Sequence, residues 1–477
     1  MAQRWRAWAV VFGASGVVLM LEVLAGRLMA PYVGVSQETF TGIIGTVLAG
    51  IALGAAVGGN LADRHDPRTL IGPTLLVGGA LTWASLPIVR IFGPMVGSGP
   101  IAIVLLTAAA FLAPAAVLSA VAPMIAKIQI GSLDESGSVV GRISAAGTFG
   151  ALAGTFVTGF ILVAALPSQW VVIVIGAVTI AAGIVVTIAA PSRPKLSIAA
   201  VVVVIAAGLG AALMPPPCDR ETAYFCVRVE VDPLRPSGRS LLLDTLRHAY
   251  VDLDDPTYLE IRYIRLIAAL IDVLPEGPIE AVHLGAGGLT VPRWLGATRP
   301  GSESTVLEID PELIEVNREQ LGFDDERTTV VIGDARLTMT DIPTDSADVV
   351  VGDAFASMSV PWHLTTVEVI EEIDRILTPE GVYVMNVIDG GDSRYARAQL
   401  ATLSERFEYV AAILPDGGVP HARVNQILIG SHQPIEPPDI DPADGSFISD
   451  EEVVAYIDGA APLTDDYAPV DQLMMRQ

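Results

Sequence analysis

Two patterns of hydrophobic and polar positions divide this chain. Long apolar runs follow one another over about 8–30, 39–61, 69–89, 99–126, 143–165, 170–190 and 196–214. Each is long enough, or nearly so, to cross the roughly 30 Å hydrocarbon core of a bilayer as a helix. Seven in succession argue against a soluble bundle, and the absence of a convincing cleavage site after the first predicts that it is retained. Beyond residue 217 the runs shorten and alternate. "RSLLLD" (239–244) and "HAYVDL" (248–253) read as a hairpin, and "TYLEIRYIRLIAALIDVL" (257–274) has helical spacing. "IEAVHLGAG", a helix near 289–297, "STVLEID", a helix from Pro311, "TTVVIGDA", "ADVVVGDAF", a helix over 364–377 and "GVYVMNVID" follow, then "FEYVAAIL" and "NQILIGS". Strands separated by helices predict a mostly parallel sheet covered on both faces.

The expected architecture is therefore an α-helical transmembrane bundle of about seven helices followed by an α/β, class I methyltransferase-like (Rossmann-like) domain of six or seven strands. The expected boundaries are 1–217 for the membrane domain, 218–255 for a small β-hairpin region and 256–477 for a nucleoside-binding domain.

Charge sharpens this division. Residues 1–217 hold ten Lys or Arg against six Asp or Glu, whereas residues 218–477 hold eighteen Arg, no Lys and forty-seven Asp or Glu. So acidic a domain is repelled by nucleic acid and by anionic headgroups, so no nucleic-acid partner is expected. Positive residues sit at Arg4 and Arg6, Arg64 and Arg68, Lys127 and Arg142, and Arg193 and Lys195, while the loops around 31–38 and 166–169 have none and that near 90–98 has only Arg90. This alternation places the N-terminus inside. Seven crossings put the acidic domain outside; one crossing fewer reverses its side. Cys218 and Cys226 are the only cysteines. An external location permits a disulfide between them, and two buried free thiols are the alternative.

Glu22 and Arg27 fall in or near the first span, where a carboxylate is costly and is a functional hypothesis by default. Their five-residue spacing is poorly phased for a direct contact, and structural pairing between helices competes with transport. "GGNLADRHDPRTL" resembles the loop between helices two and three of major-facilitator transporters, but seven helices make only half of such a bundle.

In the second half, Gly285 and Gly287 follow a strand and permit close backbone approach to a nucleoside or amino-acid tail. Glu308 ends the next strand, where a carboxylate accepts hydrogens from both ribose hydroxyls. Asp334 in "IGDA" ends another and is placed for an adenine amino group, and Asp353 in "VVGDAF" points toward the same crevice. Helix capping is the competing role for these acids. "GAGGLT" lacks the full G-x-G-x-x-G pattern, which disfavours a dinucleotide site.

Residues 240–390 resemble the spermidine/spermine synthase family of aminopropyltransferases, through "DTLRHAYVDLDDPTYLE", "HLGAGG", "VLEIDPELIEV", "VVIGDAR" and "VVVGDAF" in that order. The whole chain looks like the family's bacterial membrane-fused relatives. The resemblance implies that Glu308 and Asp334 hold the ribose and adenine of decarboxylated S-adenosylmethionine or of the product nucleoside, and that Tyr258 and Glu260 lie beside the amine. Two departures stand out. The family's loop reads like "GGGDGG", and here Gly288 takes the place of its Asp and Leu289 that of the next Gly. The family's "DSSD" reads "DAFA", keeping Asp353 and placing Ala356 at the second acid. Leu259 also replaces a polar residue common between the Tyr and the Glu.

Aminopropyl transfer needs a neutral amine aligned against a carbon beside a sulfonium, and an acceptor for its proton. Alanine cannot accept one. Asp353, Glu260 or His363 is the candidate substitute, against a cap or packing role for His363 and a buried-aromatic role for Tyr258. The expected activity is aminopropyl transfer from decarboxylated S-adenosylmethionine to an amine, without a metal. The rivals are methyl transfer from S-adenosylmethionine and a noncatalytic membrane sensor or transport-associated protein. Expected partners are the lipid bilayer, a small-molecule amine or nucleoside, and a second copy of the chain.

Overall fold

The computed structural model describes residues 2–97, 99–190, 198–355, 360–415 and 423–475; Arg193, Lys195 and Ala356 lie outside them. The chain forms two compact units, Met1–Cys226 and Val227–Gln477.

The first unit is helical. Its helices are α1 (Ala2–Val33), α2 (Gln37–Arg64), α3 (Pro67–Phe92), α4 (Pro100–Gln129), α5 (Ser136–Ala165), α6 (Ser168–Ala189) and α7 (Ile198–Leu213). Among the described residues, six are long and apolar enough, by length and composition, to cross a membrane. The seventh expected span is a helix of 16 residues, about 24 Å at 1.5 Å per residue. Helices α1 and α5 meet through glycines: a Cβ on Gly150 would stand 2.1 Å from the Phe12 carbonyl oxygen, and one on Gly154 2.4 Å from that of Gly16. Small residues let these backbones touch. Two π-helical turns, Ala108–Leu112 and Thr158–Leu162, interrupt α4 and α5.

Arg27 does not pair with Glu22. Its guanidinium donates to the carbonyls of Ala223 (2.7 Å) and Thr222 and stands 3.6 Å from Glu221. Glu221 in turn accepts from the N–H and hydroxyl of Ser168 at the start of α6. Arg90 donates to the Met214 carbonyl (2.6 Å) and to Gln169 (2.8 Å). The ends of α1, α3 and α7 and the beginning of α6 are thereby tied to one strap, residues 214–226, which a Cys218–Cys226 disulfide closes into a loop. Arg27, poorly phased for Glu22 on its own helix, is held by this strap instead.

The second unit opens with an antiparallel meander, β1 (Cys226–Val231), β2 (Gly238–Leu243) and β3 (Leu246–Asp252). Then come α8 (Arg262–Asp272), β4 (Glu280–Leu284), α9 (Thr290–Thr298), β5 (Glu303–Glu308), α10 (Pro311–Gln320), β6 (Thr328–Ile332), β7 (Ala347–Gly352), α11 (Val367–Ile376), β8 (Leu377–Asp389), α12 (Arg394–Leu403), β9 (Tyr409–Leu414), β10 (Val424–Ser431) and β11 (Ser446–Ser449). Among the described residues the sheet has eight strands in the order β11-β9-β10-β8-β7-β4-β5-β6. Strands β8, β7, β4, β5 and β6 are parallel, and β10 runs against β8 and β9. The eighth strand, β11, pairs antiparallel with β9 and is one more than the sequence pattern foretold.

Alternation along the strands sends side chains to two cores. Val349 and Val351 of β7 join Ile267 and Ile271 of α8 and Trp294 of α9, whereas Val350 joins Val369 and Ile373 of α11 and Leu400 of α12. Two expected helices are shorter than their apolar spacing. Helix α8 starts at Arg262, because Leu259 and Ile261 reach the core from extended backbone. Helix α11 starts at Val367, after a separate 3-10 turn over Trp362–Leu364.

Candidate functional site

The register of the parallel strands sets the site. Leu284 lies opposite both Leu307 and Gly352, and Glu308 lies opposite Ile332. Gly285, Glu308 and Asp353 therefore leave three strands at one level, with Asp334 two residues beyond the end of β6. This is the crevice at the carboxyl ends of the strands, where open α/β sheets hold ligands. The Gly285 N–H donates to the Leu307 carbonyl (2.9 Å) and the Asp353 N–H to that of Leu284 (3.0 Å). Gly285 has φ +95°, and a Cβ on it would stand 2.8 Å from the Asp353 carbonyl oxygen. Gly287 is also left-handed, with φ +49°, but faces open space.

Gly288 owes its lack of a side chain to β3. A Cβ there would meet the Ala249 Cβ at 2.6 Å and Val251 Cγ2 at 3.2 Å. The position where the resemblance calls for an acid is thus closed off by two apolar side chains. Leu289, standing where that resemblance has a glycine, has a left-handed backbone (φ 54°) and buries its side chain against Val306, Ile314 and Phe323.

Two of these carboxylates are held differently. Glu308 is buried, one oxygen accepting from the Ala286 N–H and the other from the Asp310 N–H, both at 2.8 Å. Burial raises its pKa, and these two bonds oppose the rise. A carboxylate has about four acceptor positions, so both oxygens retain capacity for a diol. Asp353 accepts from the Tyr263 hydroxyl (3.0 Å) and from Asn386 Nδ2 (2.7 Å). Burial pushes its pKa up to about 7, against the pull of those two donors. Asn386 is oriented by Asn425, whose Nδ2 donates to its Oδ1 at 3.0 Å.

Tyr263, Asn386 and Asn425 escaped the sequence reading. Tyr263 hid within the apolar stripe of its helix, whereas Asn386 left a signal, a lone amide inside the apolar run "GVYVMNVID".

Asp334 and His363 meet. Asp334 caps a short helical turn through the Arg336 N–H (2.9 Å), and its second oxygen stands 3.0 Å from His363 Nε2. Tyr258 and Glu260 have partners of their own. The Arg235 guanidinium lies 3.7 Å above the centre of the Tyr258 ring, and Glu260 pairs with Arg247. Among the described residues no hydrogen bond joins either of them to Asp353. The resemblance set both beside an amine, and each now faces an arginine.

Residues 282–385 match the family described as a methyltransferase domain. The polyamine aminopropyltransferase of Chromobacterium violaceum is 30% identical over 147 residues, covering 30% of this chain and 55% of that protein. That of Vibrio vulnificus is 31% identical over 127 residues, covering 26% of this chain and 42% of that protein. Over these stretches the second unit is similar in sequence to polyamine aminopropyltransferases. The chain spans about half the length of these curated relatives. A probable spermidine synthase of known structure from Corynebacterium glutamicum is 28% identical with a TM-score of 0.48, covering 52% of this chain and 95% of that one.

This unit thus holds a glycine turn and three acids at or just beyond strand ends in one crevice.

Proposed function

We propose that the second unit binds an S-adenosyl-type nucleoside at the ends of β4, β5 and β6 and transfers its aminopropyl group to an amine, with decarboxylated S-adenosylmethionine as donor. The observation that carries this reading is the single level shared by Gly285, Glu308 and Asp353. Glu308 takes the ribose hydroxyls and Asp334 the adenine amino group. The amine nitrogen attacks the methylene carbon next to the sulfonium; the C–S bond breaks, its electron pair stays on sulfur, and methylthioadenosine leaves as a neutral thioether. The nitrogen's proton passes to Asp353, a carboxylate that titrates at about 7 and so both accepts and releases protons near neutrality. Tyr263 and Asn386 hold its two oxygens in place.

The test is calorimetry on the full chain in detergent micelles. Decarboxylated S-adenosylmethionine and methylthioadenosine are expected to bind, and mass spectrometry should detect methylthioadenosine when a diamine is added. Tighter binding of S-adenosylmethionine, with methylated product, would favour methyl transfer. No binding by any of the three would end the nucleoside reading.

A second reading, noncatalytic sensing from outside the cell, is favoured by the strap. Arg27, Arg90 and the disulfide share one end of the helical unit, whereas Arg64, Arg68, Lys127 and Arg142 belong to the opposite turns. With α7 as a seventh crossing, the positive-inside rule sets the strap outside, in a compartment that permits disulfides. Protease added to intact cells should then cleave the second unit; protection until the cells are lysed would reverse this topology.

A further inference from the structure

Asp353 has one donor to itself and one that it shares. The Tyr263 hydroxyl carries a single proton and faces two acceptors, the Asp353 carboxyl (3.0 Å) and the His248 carbonyl (3.2 Å). Asn386 is buried, and its Nδ2 donates to Asp353 at 2.7 Å. What Asn386 presents there depends on its neighbour, because an amide donates on one side and accepts on the other. In the antiparallel ladder of β8 and β10, Asn425 lies opposite Ile388 and Asn386 opposite Ile427, so the two asparagines are diagonal neighbours on one face. Asn425 Nδ2 donates to Asn386 Oδ1 at 3.0 Å. Asn425 is held in turn from α8. Arg262 donates through Nη1 to its backbone carbonyl (2.9 Å) and through Nε to that of Asp444 (2.5 Å), while Arg265 grips the Asp444 carboxylate at 3.0 and 2.8 Å. Consecutive residues of one helix, Arg262 and Tyr263, thus serve both arms of the Asp353 cradle.

We propose that Asn425 is a positioning residue for the proton acceptor: its amide N–H holds Asn386 with the donor side toward Asp353, which keeps that carboxyl in the form that takes up a proton. This rests on the reading of Asp353 given above. An ionised Asp353 offers only acceptors, so it needs the N–H side of Asn386, whereas a protonated one can donate and is served by Oδ1 as well. Turning Asn386 to favour the protonated form would bring its Nδ2 against the Nδ2 of Asn425, donor against donor, and lose the bond between them. An amide oxygen that accepts a hydrogen bond also makes its own N–H a better donor. The other groups facing Asp353 leave this balance alone. Burial keeps the Tyr263 hydroxyl protonated and pushes the His248 imidazole down to about 4, where it is neutral near pH 7. Burial and the bonds from Asn386 and Tyr263 set the titration of Asp353, with no charged neighbour among the described residues taking part.

The experiment uses the full chain in detergent micelles and reads Asp353 without any reaction. The infrared band of its protonated carboxyl is isolated, for the wild type and each variant, as the difference made by adding Asp353→Asn, from pH 5 to 9.5. In the wild type this band should be half lost at about 7. Asn425→Leu, which fills the place and donates nothing, should raise the half-point by about one pH unit, the weight of a hydrogen bond to a charged group. Asn425→Asp, which accepts where Asn425 donates and adds a like charge, should raise it further. Activity gives the second readout. Methylthioadenosine release from decarboxylated S-adenosylmethionine and a diamine should fall about fivefold in Asn425→Leu at pH 7 and recover by pH 9.5, with methylthioadenosine affinity changed by less than about twofold. A loss of structure would not recover with pH. An unmoved half-point in the two folded variants, or a fall in activity that persists at pH 9.5, would overturn the role of Asn425. Raised half-points in a chain that neither binds nor releases methylthioadenosine would keep the hold of Asn425 on Asp353 and end the aminopropyl reading.

Discussion

Glu308 and Asp353 close strands on either side of β4, and both carboxylates lie in the same crevice. They differ in who holds them. Glu308 is gripped by two backbone N–H groups, from Ala286 and Asp310, whose positions follow from strand register and the glycine turn. Asp353 is gripped by side chains, Tyr263 of α8 and Asn386 of β8. A backbone cradle is fixed by the fold and resists change, which suits a binding group. A side-chain cradle is set by individual residues, and its donors can tune a proton acceptor. On the proposed reading, the two acids separate binding from proton transfer.

The largest expected effect comes from removing the backbone-held acid. Glu308→Ala leaves the buried Ala286 and Asp310 N–H groups without their acceptor, at about 1–3 kcal/mol each. A loss of about 2–6 kcal/mol in the stability of the second unit is expected in denaturant unfolding, with methylthioadenosine affinity falling at least about a hundredfold. Unchanged affinity in a folded variant would take Glu308 out of the site and undo the contrast.

Asp353→Asn should separate chemistry from binding. The amide keeps the shape and loses the proton acceptor, so aminopropyl transfer should fall about a hundredfold, with little change in methylthioadenosine affinity. Wild-type activity should rise with pH through about 7, as Asp353 ionises. Stability carries the opposite sign. A carboxyl whose folded pKa is raised contributes stability below its unfolded value of 3.8, and this is lost as pH climbs through about 7. The thermal midpoint of Asp353→Asn should therefore gain on that of the wild type between pH 4 and 8. A constant gap across that range would mean that Asp353 is ionised throughout.

The same contrast explains how much the sequence revealed. Glu308, Asp334 and Asp353 were legible because each ends an apolar strand, and strand ends in a parallel sheet converge whatever the loops do. The glycine turn was legible because left-handed backbone and close approach favour one residue type. Tyr263 was not, because a helical stripe of apolar positions does not reveal which member reaches past the core to another strand's acid. The partners of Arg27 lie nearly two hundred residues away, beyond any local periodicity. The starts of α8 and α11 moved because apolar spacing marks which residues are buried, and Leu259 and Ile261 are drawn to the core without being helical.

The smallest effect distinguishes the two left-handed glycines between these acids. Gly287→Ala meets open space, so its cost is the left-handed backbone alone, about 1 kcal/mol. Gly285→Ala carries the same backbone cost and drives a methyl against the Asp353 carbonyl oxygen, so it should cost about 1–3 kcal/mol more. The pH profile separates the two further. Only Gly285 touches the Asp353 backbone, so only its variant should shift the inflection near pH 7 assigned to that carboxyl. Equal destabilisation and unshifted inflections would mean that β7 yields to the added methyl, and that the turn constrains the nucleoside half of the crevice without reaching the proton acceptor.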